Sequence, residues 1–203
     1  MAVVIGVVNQ KGGVGKTTTV VNLGAALSRQ GKRVLIIDLD PQANATSGFG
    51  IVHSELPHGV YEALLGEKSF QEVVIETNEC DLHLAPATSD LAGANVELVD
   101  AIGREYRLDK AISAIRPNYD FVLIDCPPSL GLLTVNGLVA ADTLLIPVQA
   151  EYYALEGLTH LMETVSLVRE HLKAELRIIG AVITMYDGRT NLATDVFNEI
   201  QKF

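Results

Sequence analysis

The sequence has no tryptophan, and aromatic residues make up only 5% of its 203 residues. Because platforms that stack nucleic-acid bases need exposed aromatic rings, we do not expect one here. Cysteine is also scarce: Cys80 and Cys126 form no CxxC pair, so the sequence predicts neither a metal-ligand spacing nor a disulfide framework. This cysteine usage favours a reducing cytoplasm as the location of the protein.

Long apolar runs are missing as well. None approaches the ~20 residues that a helix needs to cross a bilayer. The chain passes from Met1-Ala2 straight into a strand-like run, so we expect no signal peptide. Basic residues number 15 against 25 acidic ones, which gives a formal net charge of −10. That charge argues against a generally basic nucleic-acid-binding surface, but it is compatible with a local basic patch.

Short, continuously apolar runs alternate along the chain with segments of helical periodicity. Continuous apolarity predicts strands buried on both faces, as in a parallel sheet covered by helices. The predicted strands are residues 3–8, 34–37, 121–124, 144–146 and 178–183, with 81–85 as a weaker candidate. The predicted helices are residues 17–29, 61–65, 106–115, 155–172 and 194–203. This alternation predicts an α/β fold, with a doubly wound, mainly parallel sheet flanked by helices.

We expect residues 1–203 to form a single domain, because no linker, repeat or low-complexity tract interrupts the pattern. The last predicted helix, residues 194–203, ends without a cap and without a further strand to pack on its apolar face. We therefore expect a C-terminal portion of the domain to be absent from this chain. The alternative is a helix that simply docks and ends.

A glycine-rich loop, Lys11-Gly12-Gly13-Val14-Gly15-Lys16-Thr17, lies between the first predicted strand and the first predicted helix. Backbone N–H groups in such a loop point into one concavity, and the helix N-terminus adds its dipole, so the loop is suited to phosphates. We expect Lys16 to neutralise the β- and γ-phosphates of ATP, Thr17 to ligate Mg²⁺ and Thr18 to donate to the α-phosphate. The residues predicted to bind the nucleotide are Lys11, Gly12, Gly13, Val14, Gly15, Lys16, Thr17 and Thr18.

The loop departs from the usual G-x-x-x-x-G-K-[ST] pattern in one respect. Gln10 stands where that pattern has its first glycine, and the next residue, Lys11, adds a second cation. The alternative for Lys11 is a solvated loop lysine. We favour a role at the phosphates, because folding does not require a second cation there.

Three aspartates follow predicted strands. Asp38 and Asp40 come at the end of the strand 34–37, and Asp125 directly follows the strand 121–124. A carboxylate after a hydrophobic strand is the Walker-B arrangement, which holds Mg²⁺, often through water. The alternative for each aspartate is a strand-end turn or a helix cap.

Together these motifs resemble those of the deviant Walker-A ATPases. The resemblance rests on the loop 11–17, on Asp38-Leu39-Asp40-Pro41-Gln42 and on Asp125-Cys126-Pro127-Pro128. Within the ParA/MinD superfamily of P-loop NTPases, the sequence is most similar to chromosomal ParA proteins of the Soj type. The segments 151–158 and 189–192 also resemble that subgroup, and the resemblance extends over essentially all 203 residues.

This resemblance implies a mechanism in which ATP drives formation of a sandwich dimer with two nucleotides at the interface. Lys11 matches the signature lysine, which crosses to the partner's nucleotide and stabilises charge there, as an arginine finger does. Asp40 matches the residue that positions the attacking water, and Gly131 lies in what would be a second switch loop. The implied catalytic residues are Lys11, Lys16 and Asp40, and the implied metal site is Thr17, Asp38 and Asp125.

The resemblance also implies partners. Members of this type bind DNA non-specifically as ATP dimers on the nucleoid, and a ParB-like protein stimulates their hydrolysis. Arg189 aligns with a basic DNA-contact residue of Soj-like proteins, although a loop arginine is as often simply solvated. The net charge of −10 does not exclude such binding, because non-specific contacts need only a few phosphate neutralisations.

Three other functions remain as alternatives. A MinD-like membrane-cycling ATPase would use a C-terminal amphipathic helix, but Asp195 and Glu199 in the segment 194–203 suit lipid headgroups poorly, so we do not expect a membrane partner. A metal-cluster carrier of the iron-protein type would need paired cysteines, which Cys80 and Cys126 do not obviously supply. A non-hydrolysing nucleotide-gated scaffold would have lost the catalytic acids, which are all present.

Overall fold

The fold is built on a seven-stranded sheet, in a computed structural model that describes residues 2–151 and 154–201. The strands are β1 (Val3–Val7), β2 (Val34–Asp38), β3 (Ile75–Glu76), β4 (Leu82–Ala85), β5 (Phe121–Asp125), β6 (Thr143–Gln149) and β7 (Arg177–Thr184). Their order in the sheet is β3-β4-β2-β5-β1-β6-β7. All neighbouring pairs are parallel except β3 and β4, so the predicted mainly parallel α/β sheet is confirmed.

Helices connect these strands. They are α1 (Lys16–Arg29), α2 (Asn44–Gly48), α3 (Val60–Leu65), α4 (Phe70–Val73), α5 (Ala94–Glu97), α6 (Arg107–Ile112), α7 (Leu132–Ala140), α8 (Ala154–His171) and α9 (Asn191–Ile200). Within the ranges described, none of them has both the length and the apolarity that a bilayer crossing requires.

The hydrophobic core lies on both faces of the sheet. Leu35 and Ile37 of β2 belong to the larger cluster of buried side chains, whereas Ile36 between them belongs to the smaller one. Successive side chains of a strand point to opposite faces, so the two clusters cover opposite sides of the sheet. Helix α1 approaches its side closely at Gly24, where an added Cβ would lie 2.7 Å from the Ile36 side chain.

Continuous apolarity located the strands correctly. Each of the five main predicted strands is present, and the weaker candidate 81–85 is strand β4. All five residues of β2 are buried, and four of the five residues of β1 are buried, as a sheet covered on both sides requires. The predicted burial of 178–183 on both faces was wrong, because β7 is an edge strand and none of its residues is buried. The two-residue strand β3 was not predicted, because two residues are too few to show a period.

The helices agree less closely with the sequence prediction. The predicted helix 106–115 is shorter, because α6 ends at Ile112 and a 3₁₀ turn precedes it at Arg104–Tyr106. The predicted helix 194–203 was wrong at its start: α9 begins at Asn191, because the Thr190 hydroxyl accepts a hydrogen bond from the Ala193 N–H at 3.3 Å and caps it. Lys202 and Phe203 lie outside the described residues.

Helix α7 was missed altogether. Its sequence, Leu-Leu-Thr-Val-Asn-Gly-Leu-Val-Ala, is apolar on nearly every side, and most of its residues are buried. A helix buried all round has no polar stripe, so the 3.6-residue period that identifies a surface helix is absent. Asn136 in α7 is buried as well, and its side chain is satisfied by the Leu108 N–H and by two backbone carbonyls.

The register of the central strands brings the predicted motifs to one edge of the sheet. Val7 is the register partner of Asp125, and Asp38 is also a register partner of Asp125. Strands β1, β2 and β5 therefore end at the same level, with β5 between the other two. The chain leaves β1 with β5 on one side and β6 on the other, which is the switch point where α/β sheets bind ligands.

Candidate nucleotide site

The glycine-rich loop leaves β1 and enters α1 at the carboxyl edge of the sheet. Gly13 has φ 76° and Gly15 has φ 90°, in the left-handed region that glycine adopts without a Cβ clash. The loop borders a cleft of about 400 Å³. The residues that line this cleft are Gly12, Gly13, Gly15, Lys16, Thr17, Thr18, Asp40, Gln42, Asn44 and Pro128.

Lys16 lies at the floor of this arrangement and is only 7% exposed. Its Nζ donates to the Lys11 carbonyl oxygen at 2.9 Å. Burial lowers the pKa of the Lys16 ammonium, and the negative charges of Asp125 and Asp40 act in the opposite direction. A buried ammonium with one carbonyl partner is well placed to accept an anion as a further partner.

Asp125 is the acidic group of the site whose burial is least compensated. Its side chain is fully buried, and neither carboxylate oxygen has a hydrogen-bond partner among the described residues. Burial raises the pKa of Asp125 to about 7, and the charge of Asp38 acts in the same direction. The Thr17 hydroxyl lowers this pKa, although it is not in ordinary hydrogen-bond geometry with the carboxylate. A buried carboxylate without partners is costly unless a cation compensates it, so Asp125 fits a divalent ion held together with Thr17.

Asp38 is buried like Asp125 but is fully partnered. One carboxylate oxygen, Oδ2, accepts from the Thr46 N–H at 2.8 Å and from the Thr46 hydroxyl at 2.7 Å, and Oδ1 accepts from the Asp40 N–H at 3.2 Å. Burial raises the pKa of Asp38 to about 6, and these hydrogen bonds lower it. Asp38 therefore holds the segment 40–46 in place, and its predicted role as a metal ligand stays a prediction.

Asp40 follows at the edge of the cleft. It is 7% exposed, and its Oδ1 accepts from the Gln42 N–H at 3.0 Å. In residues 2–151 and 154–201, no three side chains of His, Cys, Asp or Glu converge to hold a metal ion by themselves. Magnesium sites for nucleotides commonly use one or two carboxylates, with phosphates and water as the other ligands.

Lys11 lies beside the cleft rather than in its lining. Its Nζ forms an ion pair with Glu151 of the same chain, and its side chain is 38% exposed. Its backbone N–H donates to Asn9 Oδ1 at 3.0 Å, and Asn9 Nδ2 donates to the Pro147 carbonyl at 2.7 Å. Asn9 thus ties the start of the loop to β6, a role that sequence reasoning missed.

Comparisons with known proteins agree on the family. Residues 2–178 match a family described as an AAA domain. The sporulation initiation inhibitor protein Soj of Bacillus subtilis is 53% identical over 203 residues, which are 100% of this chain and 80% of that protein. The chromosome partitioning protein ParA of Myxococcus xanthus is 49% identical over 200 residues, 98% of this chain and 71% of that protein. This chain belongs to the Soj/ParA family of P-loop ATPases.

A solved structure supports the fold of this Soj/ParA member. It is described as cobyrinic acid a,c-diamide synthase from Mycobacterium smegmatis with bound ATP analogue and magnesium. It has a TM-score of 0.96 and 44% sequence identity, and the match covers 100% of this chain and 82% of that one. The predicted P-loop NTPase fold and the resemblance to Soj-type ParA proteins are thereby confirmed, whereas the roles of individual residues stay predictions.

Arg189 and Gly131, both named for the Soj/ParA resemblance, are not among the residues that line the cleft. Arg189 is 90% exposed in the turn after β7 and pairs with Asp187 at 2.7 Å. The segment 151–158 includes Tyr152 and Tyr153, which lie outside the described residues. Gly131 is the residue before α7, in extended backbone conformation.

Sequence reasoning missed three residues of the cleft lining, Gln42, Asn44 and Pro128. Gln42 and Pro128 belong to the two aspartate motifs that were recognised, so their position in those motifs was an available signal. Asn44 carries no such signal, because it reaches the cleft as the first residue of the short helix α2.

Proposed function

We propose that this chain is an ATP-dependent, dimerising ATPase switch of chromosome or plasmid partitioning. It binds ATP with Mg²⁺ and hydrolyses ATP to ADP and phosphate, slowly on its own. The observation that carries the proposal is the meeting of the glycine-rich loop, Lys16 and Asp40 at one cleft. Beside it lies the buried carboxylate of Asp125, which has no hydrogen-bond partner in the part of the chain that the structure describes. Phosphate oxygens would accept from the loop and from Lys16, and the accompanying cation would compensate Asp125.

Each residue then has a defined task. Bound Mg²⁺ supplies positive charge to the phosphate oxygens during phosphoryl transfer. Thr17 and Asp125 would hold the ion, with Asp38 assisting from the neighbouring strand. Lys16 would exchange the Lys11 carbonyl for a phosphate oxygen and so remain paired throughout. Asp40 would orient the attacking water, because it lines the cleft and belongs to the segment that Asp38 anchors.

Dimerisation enters the proposal through Lys11. In the single chain its ammonium pairs with Glu151, outside the cleft lining. Exchange of that carboxylate for the phosphates of a facing subunit replaces one ion pair by another, so the lysine can change partner without becoming an unpaired charge. Lys11 would then stabilise charge on the partner's nucleotide, so that hydrolysis depends on dimerisation.

The names of the relatives support the biological role. The match to Soj covers 100% of this chain, and the match to ParA covers 98%. The ParA relative is named a chromosome partitioning protein. We infer that the ATP dimer binds DNA non-specifically in the cytoplasm, at the nucleoid, and that a ParB-like protein and DNA stimulate its turnover. Arg189 is the candidate DNA contact, because its exposed guanidinium can reach a phosphate.

Gel filtration with light scattering tests the proposal. The wild-type chain should be monomeric with ADP and Mg²⁺, dimeric with ATP and Mg²⁺, and retained on DNA only in the ATP state. Lys16→Ala should remain monomeric under every condition, because the phosphates lose their main cation. Lys32→Ala is the matched control, since Lys32 is an exposed lysine outside the cleft lining and should change nothing.

Other outcomes would point elsewhere. Co-sedimentation with liposomes in the presence of ATP would favour a MinD-like membrane cycle. Turnover that requires cobyrinic acid would favour the activity for which the Mycobacterium smegmatis relative is named. Tight ATP binding without turnover, even with DNA and a ParB-like protein, would favour a nucleotide-gated scaffold.

A further inference from the structure

The last residue of the edge strand β7, Thr184, is hydrogen-bonded to the glycine-rich loop. The Thr184 hydroxyl donates to the Val14 carbonyl oxygen at 2.9 Å, across a separation of 170 residues in the chain. The Thr184 methyl group lies 3.4 Å from the point that a Cβ on Gly15 would occupy. Thr184 is therefore bonded to the loop through its hydroxyl, and its methyl group borders the space beside Gly15, from the side of β7.

The backbone of Thr184 is itself fixed. Thr184 pairs with Gln149 at the end of the parallel ladder between β6 and β7, and its carbonyl accepts from the Ala150 N–H at 3.2 Å. The chain turns away immediately afterwards, since Met185 has φ 53°. The hydroxyl is thus presented to the loop from a rigid position at the strand end.

The hydrogen bond to Val14 has a consequence for the next peptide group. In a trans peptide the C=O of one residue and the N–H of the following residue point in opposite directions. No cis peptide occurs among the described residues. A Val14 carbonyl directed at Thr184 therefore turns the Gly15 N–H away from Thr184, and Gly15 is one of the residues that line the cleft.

Such an external anchor is needed because the loop is rich in glycine. Glycine has access to many backbone conformations, so a loop with Gly12, Gly13 and Gly15 does not hold its amides in one direction by itself. The following carbonyl, that of Gly15, is held from within α1, where it accepts from the Thr19 N–H at 2.9 Å and the Thr19 hydroxyl at 2.7 Å. The Val14–Gly15 peptide is held from outside, by β7.

We propose that Thr184 is a positioning residue for nucleotide binding, which sets the Gly15 amide toward the phosphates before they arrive. The proposal rests on the proposed function, because the anion that the Gly15 N–H receives is a nucleotide phosphate. Thr184 does not touch the phosphates. It acts through the Val14 carbonyl, so its hydroxyl rather than its bulk determines the effect.

Three variants of the full 203-residue chain separate the hydroxyl from the rest of the side chain. Thr184→Val keeps the shape and removes the donor, whereas Thr184→Ser keeps the donor and removes the methyl group. Thr143→Val is the matched control, because Thr143 is the first residue of β6, at the opposite end of the same ladder. Calorimetric titration with Mg-ADP gives the dissociation constant, and thermal denaturation without nucleotide gives the melting temperature.

We expect Thr184→Val to weaken Mg-ADP binding about fivefold, the effect of losing one internal hydrogen bond. Thr184→Ser should bind within about twofold of wild type, and Thr143→Val should match wild type. If Thr184→Val does not fold, Thr184→Ala takes its place with the same expected weakening.

Two results would overturn the proposal: unchanged affinity in Thr184→Val with only a lower melting temperature, or equal weakening in Thr184→Ser. A wild-type chain that fails to bind Mg-ADP would instead overturn the proposed function, and this proposal with it.

Discussion

Asp38 and Asp125 are register partners at the ends of adjacent parallel strands, and both carboxyl groups are fully buried. Their environments differ: Asp38 accepts three hydrogen bonds, whereas Asp125 accepts none among the described residues. Burial raises the pKa of both carboxyl groups, and Asp38 also raises the pKa of Asp125. The pKa of Asp125 is shifted further, to about 7 against about 6 for Asp38. Asp38 thus anchors the segment 40–46, and we propose Asp125 as the carboxylate that a bound cation compensates.

The first prediction concerns the pH dependence of stability. Asp125 has an ordinary pKa of 3.8 and a pKa of about 7 in the folded chain, so between these values the folded state binds more protons than the unfolded state. Without Mg²⁺ and nucleotide, the free energy of unfolding should therefore fall as pH rises through this window. Asp125→Asn should remove that loss and stabilise the free protein at about pH 8 by up to about 4 kcal/mol.

Urea denaturation at about pH 5 and about pH 8 measures this effect, with a larger gain expected at the higher pH. Asp100→Asn is the control, because Asp100 is exposed and should change stability little at either pH. The same Asp125→Asn variant should lose Mg-dependent nucleotide binding. A lower stability of Asp125→Asn at the higher pH would contradict the assignment.

The second prediction concerns Asp40. Asp40→Ala should bind ATP and form the dimer but hydrolyse ATP roughly 100-fold more slowly or worse, because the attacking water loses its positioning group. Phosphate release measures turnover, and gel filtration with ATP measures the trapped dimer. Normal turnover in this variant would show that Asp40 has no such role.

The third prediction separates Lys11 from Lys16. Lys11 lies outside the cleft lining and pairs with Glu151, so Lys11→Ala should bind Mg-ADP within a few-fold of wild type, although it should form no ATP dimer. Glu151→Gln is the paired control, because it releases Lys11 without removing its charge and should still dimerise. Calorimetry and gel filtration give the two readouts, and a normal ATP dimer of Lys11→Ala would refute the crossing role.

The fourth prediction concerns Arg189. Arg189→Ala should weaken DNA retention of the ATP dimer and reduce the salt dependence of binding by about one phosphate contact for each chain. Arg29→Ala is the matched control, because Arg29 is also an exposed arginine that pairs with a carboxylate, that of Glu79. Equal DNA affinity of Arg189→Ala and Arg29→Ala over a salt series would remove Arg189 from the DNA surface.

Local patterns were enough to predict the sheet and the phosphate loop. Continuous apolar runs identify β1, β2 and β5 because these strands are buried on both faces. The phosphate loop is recognised from its closely spaced glycines. The period of α7 is absent because that helix is buried all round. The sequence prediction missed α7 for this reason.

Long-range contacts at the site could not be predicted in the same way. The sequence shows Asp38 as an acid after a strand, but it does not show that Thr46 donates two hydrogen bonds to one of its carboxylate oxygens. The contacts of Thr184 with Val14 and of Asn9 with Pro147 join segments 170 and 138 residues apart. Such pairs depend on the strand order of the finished sheet, which no local pattern encodes.

The hydrogen bonds of Asp38 have a thermodynamic consequence. The Thr46 hydroxyl that donates to Asp38 also accepts from the Ala87 N–H at 3.1 Å, so the segment 40–46 is tied to the ends of both β2 and β4. A segment restrained in this way has little conformational entropy left to lose when a ligand arrives. More of the interaction energy between Asp40 and its ligand therefore remains available as affinity.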